Sequence, residues 1–229
     1  MLSPRSSEPL SGLRKVIADR LSRSKREAPH AYFSIRVDMG AAADLRRDLA
    51  GRDRKVSYND LALAAAARAL VEVPGLNGRL EGETLSLYDT VNLGMAVSLE
   101  KGLIVPVLAG AERLTLVELA DKARDLAGRA RLGKLKLSEY SDGTFTVSNL
   151  GMFGVGQFSA VINPPELGIL AVGAVTEEAV VKGGALAVRP VLTATLSVDH
   201  RAVDGALGAR WLAAFRDILE APRERLSIE

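Results

Sequence analysis

Apolar and polar positions alternate along the chain with two periods, which predict an alternation of helices and strands. A spacing of three or four residues predicts helices at 41–49, 61–73, 114–126 and 207–219, after a first helix whose buried stripe is Leu13, Val16, Ile17 and Leu21. Alternation and short β-branched runs predict strands at 32–38, 91–97, 103–108, 144–147, 167–175, 179–188 and 191–198. No regular strand–helix–strand repeat appears, which argues against a Rossmann or barrel fold. The pattern predicts an α/β (α+β) protein in which a mixed β-sheet is flanked by helices.

The turn between the last predicted strand and the last predicted helix holds most of the polar groups with a plausible chemical role. His200, one of 2 histidines in the chain, follows the strand 191–198, and Asp204-Gly205 opens the helix. A histidine at a strand end is often a satisfied structural residue, and Asp204 is well placed to be a helix N-cap and nothing more. From the residues alone, a catalytic role and a structural role for this strand–turn–helix corner both stay open.

Composition narrows the class of protein. With 229 residues, 48% of them hydrophobic, the chain can form one large domain or two small ones. The 30 basic and 28 acidic side chains leave a net charge of +2, so no overall field favours nucleic acid or a membrane as partner. The absence of cysteine excludes disulfides, thiolate metal sites and a cysteine acyl-enzyme. Apolar runs fall short of the ~20 residues that span a bilayer, and no secretory signal is present. We therefore expect the cytoplasm, although a processed mitochondrial protein would have the same composition.

Three local features have both a structural and a functional interpretation. The first helix has a basic face, which either is solvated or contacts a phosphate-bearing ligand. This face consists of Arg14, Lys15, Arg20, Arg23, Lys25 and Arg26. His30 follows Pro29, where the helix ends, and its role stays open. The glycine-rich segment 151–156 lacks the strand–helix–strand frame and the acidic residue of a dinucleotide site, so we reject that interpretation.

The corner around His200 resembles a known catalytic signature. His200-Arg-x-x-Asp204-Gly is similar to the motif of the dihydrolipoamide acyltransferases, the core subunits of 2-oxoacid dehydrogenase complexes, and of the related chloramphenicol acetyltransferases. Further stretches resemble the acyltransferase cores in the same order, at 13–21, Pro29-His30, Ser57-Tyr-Asn-Asp60, Gly102-Leu-Ile-Val-Pro106, 143–154 and Ile162-Asn-Pro-Pro165. The resemblance covers nearly the whole chain and is strongest to the acetyl-transferring, pyruvate dehydrogenase branch. It implies a chloramphenicol acetyltransferase-like fold.

The same resemblance implies transfer of an acetyl group between dihydrolipoamide and coenzyme A, with no metal. His200 is then the general base for the coenzyme A thiol, a task that suits an imidazole, whose ordinary pKa is ~6.5. The resemblance nominates Ser148, at the end of the strand 144–147, as the donor to the oxyanion. The alternatives are a turn serine and a covalent nucleophile, but the Gly-x-Ser-x-Gly elbow of serine hydrolases is absent. Asp204 is expected to hold the corner through an ion pair with Arg14.

The resemblance also carries expectations about domains and partners. Residues 1–10 are expected to be a lead segment and 11–229 a single catalytic domain, without a lipoyl or peripheral subunit-binding domain. A separate lipoylated carrier would then supply the lipoyl group. The family arrangement is a homotrimer in which His200 faces Ser148 of the partner subunit, and trimers can build a cubic or icosahedral core. Two alternatives are a coenzyme A-dependent acyltransferase with another acceptor, and a non-catalytic scaffold for core assembly.

Overall fold

The computed structural model describes residues 3–99 and 102–229, and the side chain of Leu13 lies outside this description. The helices are α1 (Gly12–Glu27), α2 (Gly40–Gly51), α3 (Tyr58–Glu72), α4 (Leu116–Arg131), α5 (Gly205–Glu220) and α6 (Pro222–Arg225). The strands are β1 (His30–Asp38), β2 (Gly78–Glu81), β3 (Thr84–Leu87), β4 (Leu93–Met95), β5 (Val97–Leu99), β6 (Gly102–Ile104), β7 (Val107–Leu108), β8 (Phe145–Asn149), β9 (Gly168–Lys182) and β10 (Ala185–Asp199). Within the described ranges, no helix is long and apolar enough to cross a membrane.

Six strands form one mixed sheet in the order β1-β10-β9-β8-β4-β7, and β2-β3 and β5-β6 form two small hairpins. β8 runs parallel to β4 and β9, whereas the other neighbours in the large sheet are antiparallel. Helices α3 and α5 pack together over one face, where the ring centroids of Phe145 and Trp211 are 5.0 Å apart. On the other face, Ser197 Oγ donates to Ala160 O at 2.8 Å. The predicted mixed sheet flanked by helices is confirmed.

Two helices begin at the same kind of N-terminal cap. Ser57 and Asp60 form a capping box at α3, and Thr115 and Glu118 form one at α4. In each box, the side chains of the first and fourth residues accept each other's backbone N–H, which satisfies donors that a helix terminus otherwise leaves unpaired. The predicted capping cluster at 57–60 is confirmed, and it fixes where the buried helix α3 starts.

The strands β9 and β10 form one long hairpin, which corrects the predicted strand at 179–188. Each strand has 15 residues, and the chain reverses at Gly183 and Gly184, whose φ angles are 59° and 83°. Glycine adopts these left-handed conformations without steric cost, and so it permits a two-residue turn. The predicted strand was wrong because its apolar residues lie on both sides of that turn.

Helix α1 is not packed as its apolar stripe predicts. Val16 and Leu21 are 61% and 39% exposed, so their prediction as buried residues is wrong, while Ile17 is half-buried. A polar contact instead attaches the helix, because buried Ser24 donates its Oγ–H to Ile162 O at 2.7 Å. The exposure of Val16 and Leu21 leaves an apolar surface on the described part of the chain.

Candidate active site

Backbone hydrogen bonds fix the corner around His200. β10 ends at Asp199, whose N–H donates to Leu167 O at 2.9 Å, and the N–H of His200 donates to Pro29 O at 2.9 Å. The turn ends where α5 begins, at Gly205. His200 itself is exposed. Two neighbouring segments therefore anchor the backbone of Asp199 and His200, while the His200 imidazole stays accessible.

Asp199 and Arg201, one on each side of His200, form an ion pair. Arg201 Nη2 lies 2.6 Å from Asp199 Oδ2, and the Arg201 N–H donates to Asp199 Oδ1 at 3.1 Å. The Asp199 side chain is only 5% exposed, and its hydrogen bonds raise the pKa of the Arg201 guanidinium. This ion pair, which holds the turn together, was not predicted from the sequence. Its only signal is the order Asp-His-Arg.

Asp204 is the N-cap of α5. Its Oδ1 accepts the N–H of Leu207 at 2.7 Å, and the residue is exposed. In the described part of one chain, Asp204 forms no ion pair with Arg14. The hydrogen bond from Leu207 thus gives Asp204 the role of helix N-cap, one of the two roles that the sequence left open.

Ser148, at the end of β8, lines a cavity of about 930 Å³. Met95 and Val97 contribute apolar surface to its wall. Its basic lining residues are Arg46, Arg47, Arg54, Lys55, Arg124 and Arg131. The acidic lining residue is Asp60, whose pKa is raised by burial and whose carboxylate accepts hydrogen bonds from Ser57. A ligand with negative charges and an apolar arm fits this lining.

Ser148 and His200 lie far apart within one chain. Ser148 pairs with Ala171 of β9, and Ala171 pairs with Thr195 of β10. His200 lies about 17 Å of extended chain beyond Thr195, and two interstrand spacings add about 10 Å across the sheet. The separation is therefore roughly 20 Å, and His200 is not among the residues that line the cavity of Ser148. A single chain does not bring the two predicted catalytic residues together.

The other histidine, His30, is engaged on both ring nitrogens. Its Nδ1 lies 2.8 Å from Ala28 O, and its Nε2 accepts the N–H of Ile162 at 3.1 Å. Because Nε2 must be unprotonated to accept, the ring is neutral with its proton on Nδ1. Burial lowers the pKa of His30, and the charge of Lys25 acts in the same direction. These contacts give His30 a structural role, which the sequence had left open.

Acid should destabilise the chain through His30. Its folded-state pKa lies below the ordinary histidine pKa of 6.5, so the unfolded state binds the proton more readily. The stabilising contribution is complete above pH 6.5 and is lost as the pH falls below it, through the folded-state pKa. We expect thermal stability to decline between about pH 7.5 and 5.5, and His30→Gln to be less stable at pH 7.5 but to decline less steeply. If the melting temperatures of the wild type and His30→Gln fell equally steeply with pH, this role of His30 would be contradicted.

Sequence comparison identifies the family. The family model described as 2-oxoacid dehydrogenases acyltransferase (catalytic domain) matches residues 3–227. The chain belongs to this family. A mitochondrial relative of this acyltransferase domain, the dihydrolipoyllysine-residue acetyltransferase component of pyruvate dehydrogenase complex of Schizosaccharomyces pombe, is 45% identical over 94% of the chain and 46% of its own length. The relative of the same name from Rickettsia bellii is 40% identical over 93% of the chain and 52% of its own length. The acyltransferase domain spans about half the length of these curated relatives, and their names confirm the predicted pyruvate dehydrogenase branch.

Solved acyltransferase cores have the same fold. The dihydrolipoamide acetyltransferase of Azotobacter vinelandii matches with a TM-score of 0.91 at 32% identity, over 96% of this chain and 93% of that chain. The cubic core of the pyruvate dehydrogenase multienzyme complex also gives a TM-score of 0.91, at 31% identity, over 96% and 93% of the two chains. A chloramphenicol acetyltransferase, at 16% identity and a TM-score of 0.60 over 88% of this chain and 94% of that chain, shares the fold alone. The predicted fold class is confirmed.

The Azotobacter enzyme was studied for the role of one serine, one histidine and one asparagine in its catalytic mechanism. Its serine precedes the histidine by the same number of residues as Ser148 precedes His200, and its asparagine follows the histidine by four positions, as Asp204 does here. Asparagine and aspartate cap helices about equally well, but neutral asparagine cannot form an ion pair. The capping contact of Asp204 is the one that the structure shows, and the ion pair with Arg14 stays a prediction.

Proposed function

We propose that this acyltransferase domain moves an acetyl group between coenzyme A and dihydrolipoamide. The names of its relatives support this pair of substrates, because they are acetyltransferase components of the pyruvate dehydrogenase complex. The observation that carries the proposal is the spacing of Ser148, His200 and Asp204, which equals that of the serine, histidine and asparagine studied in the Azotobacter enzyme, on the same fold.

In this proposal His200 acts as the general base. Its imidazole takes the proton of the coenzyme A thiol, and the thiolate attacks the carbonyl carbon of the acetyl thioester on dihydrolipoamide. The carbonyl electron pair moves to oxygen, and Ser148 donates a hydrogen bond to that oxyanion. When the oxyanion collapses, the bond from carbon to the lipoyl sulfur breaks, and protonated His200 returns the proton to that sulfur. The transfer is direct, without an acyl-enzyme.

Coenzyme A is proposed to lie in the cavity of Ser148. The basic residues of the lining suit its phosphate groups, since opposite charges raise the local concentration of a ligand and hold it at the rim. The apolar wall around Met95 and Val97 suits the uncharged pantetheine arm. Ser148, in the same lining, would then lie near the reacting end of that arm.

Removing one cation from this lining should weaken coenzyme A binding more than catalysis. Arg131, at the end of α4, is exposed in the lining, and an exposed charge contact is worth about 1 kcal/mol or less. We expect Arg131→Gln to raise the KM for coenzyme A by up to about fivefold, with less effect in high salt because ions screen the contact. Arg223→Gln, which changes an exposed cation outside the cavity lining, is the matched control. Equal KM values for the two variants would place the phosphates elsewhere.

The working unit is proposed to be a homotrimer in which His200 faces Ser148 of the partner subunit. The roughly 20 Å between the two residues in one chain requires a second chain if both act on one substrate. A cyclic trimer with head-to-tail contacts repeats such a composite site three times. The fold shared with a cubic core supports assembly into multimers.

Exposed apolar side chains support a subunit interface. They occur on α1, on the 3₁₀ turn after β8 and on the β9–β10 hairpin, and soluble monomers rarely leave large apolar patches uncovered. These residues are Val16, Leu21, Met152, Phe153, Val181, Leu186 and Val188. A second copy of the chain is the proposed cover for these side chains, of which Met152 and Phe153 also line the cavity proposed for coenzyme A.

Two alternatives differ from this function in their substrates or their chemistry. A coenzyme A-dependent acyltransferase with another acceptor would use the same base and the same cavity. A scaffold for core assembly is the second alternative. One relative, the pyruvate dehydrogenase protein X component of Mus musculus, has a name that states no acetyltransferase activity, and it is 43% identical over 93% of the chain and 44% of its own length. The proposed compartment is the cytoplasm, and the proposed carrier is a separate lipoylated domain or protein.

An assay with free substrates tests the function. The purified protein is mixed with acetyl-coenzyme A and dihydrolipoamide, and the thioester product is measured against succinyl- and isobutyryl-coenzyme A as donors. We expect transfer to dihydrolipoamide with acetyl as the preferred group. Transfer to other acceptors alone would favour the first alternative, and no transfer to any acceptor would favour the scaffold.

A further inference from the structure

The side chains of Asn59 and Asn149 meet beside Ser148. Asn149 Nδ2 donates to Asn59 Oδ1 at 3.1 Å, and Asn149 Oδ1 accepts the N–H of Gly151 at 2.8 Å. Both asparagines line the same cavity as Ser148. The hydrogen bond between Asn149 and Asn59 thus joins the capping motif at 57–60 to β8, the strand that carries the proposed oxyanion donor Ser148. The proposed reaction does not use this bond.

Asn59 is a well-anchored partner for this contact. It lies in the first turn of α3, where the N–H of Ser57 donates to Asp60 Oδ2 at 2.8 Å in the capping box. Its own Nδ2 lies 3.8 Å from the sulfur of Met95 on β4, the strand beside β8. The amide of Asn59 therefore presents its nitrogen to Met95 and its oxygen to Asn149.

The hydrogen bond between Asn149 and Asn59 lies at the end of β8, beyond the last residue that pairs with β4. β8 pairs with β4 only as far as Val147, so the last two residues of β8, Ser148 and Asn149, have no partner on β4. Successive side chains of a strand point to opposite faces. A bond that holds the Asn149 side chain on one face therefore also restrains the backbone from which the Ser148 side chain projects to the other face.

We propose that Asn59 is a positioning residue, which acts through Asn149 to hold the hydroxyl of Ser148 in the geometry that the oxyanion needs. This inference rests on the proposed acyl transfer. The positioning role of Asn59 differs from a general stabilising role because loss of its side chain should displace only the end of β8. A displacement of about 1 Å in a catalytic group can cost on the order of 100-fold in rate, so a lost side-chain contact at this position should be measurable.

The first test is Asn59→Ala, which removes the acceptor for Asn149. We expect kcat to fall at least about tenfold while the KM of each substrate changes less than about threefold, because the substrates still bind but the oxyanion donor is displaced. The matched control is Thr115→Ala, which removes the cap of α4, where the side chain of Thr115 bonds to Glu118. It should lower the melting temperature without lowering kcat. A kcat of Asn59→Ala equal to that of the wild type would overturn the proposal.

The second test is rescue by Asn59→Asp. Aspartate has the same shape and keeps an oxygen that accepts from Asn149 Nδ2. We expect its kcat to lie within about threefold of the wild type and well above that of Asn59→Ala. If the aspartate variant is as slow as the alanine variant, the hydrogen bond to Asn149 is not the cause of the loss.

A third measurement is independent of activity. Hydrogen exchange of the Gly151 N–H, followed by NMR, should be at least about tenfold faster in Asn59→Ala than in the wild type, because Asn149 Oδ1 is no longer held against it. Amides in α4 should not change. Unaltered exchange at Gly151 would overturn the proposal even if the wild type proved to have no acyltransferase activity, so failure of the positioning role and failure of the function are distinguishable.

Discussion

His200→Ala should lower kcat by at least about 100-fold, because general-base catalysis is typically worth roughly 10²- to 10⁴-fold. The fold should survive, since His200 is exposed and the bond that anchors it comes from its backbone N–H. Steady-state kinetics with acetyl-coenzyme A and dihydrolipoamide give the loss, and a thermal melt verifies the fold. The loss should shrink as the pH rises towards ~8.5, where a thiol ionises without a base.

The second histidine provides the control for this substitution. His30 is bound on both ring nitrogens, by Ala28 and Ile162, and takes no part in the proposed transfer. His30→Gln should therefore keep a near-normal kcat at pH 7.5 while it lowers the melting temperature. Near-normal turnover in His200→Ala would contradict the role of His200 as the base.

Ser148→Ala should have the second largest effect. Removal of one oxyanion donor costs about 2.7–4 kcal/mol, which is roughly 10²- to 10³-fold in kcat. The KM values should change little, because the hydrogen bond is strongest in the transition state. Kinetics of Ser148→Ala beside Ser141→Ala, a serine outside the cavity lining, separate this loss from a general effect. An acyl-serine detected at Ser148 by mass spectrometry would instead assign it the role of a covalent nucleophile.

The fold could be predicted from the sequence wherever one local signal decided the structure. The alternation at 191–198 and the helical stripe of 207–219 correspond to β10 and α5, and the capping residues at 57–60 mark the start of α3. The strand predicted at 179–188 failed because hydrophobicity was given more weight than the Gly183-Gly184 turn. In this hairpin the glycine pair, rather than the apolar residues around it, determines the topology.

The stripe of α1 shows a second limit. An amphipathic pattern predicts that Val16 and Leu21 are covered, but it does not specify whether the cover comes from the same chain. Their exposure in one chain is compatible with the proposed trimer. The prediction that Val16 and Leu21 are buried was therefore wrong for the isolated chain, whereas the prediction of a helix from their spacing was right.

The candidate site could be predicted in its residue types but not in its geometry. His200 and Asp204 stand out because they share a short motif, whereas Asn59 and Asn149 meet across 90 residues of sequence and have no local signal. The separation of His200 from Ser148 depends on strand register, which no local pattern encodes. The basic lining of the cavity likewise comes from segments that are distant in sequence.

Complementation between two inactive variants tests most directly the central claim, that each site is shared between subunits. His200→Ala and Ser148→Ala chains are unfolded together and refolded as a mixture, and native mass spectrometry verifies that mixed trimers form. Random mixing in a cyclic trimer leaves about a quarter of the interfaces with an intact His200 facing an intact Ser148 of the partner subunit. We predict about a quarter of the wild-type activity, and none when His200→Ala is mixed with the double variant. Mixed trimers as inactive as their components would contradict the claim.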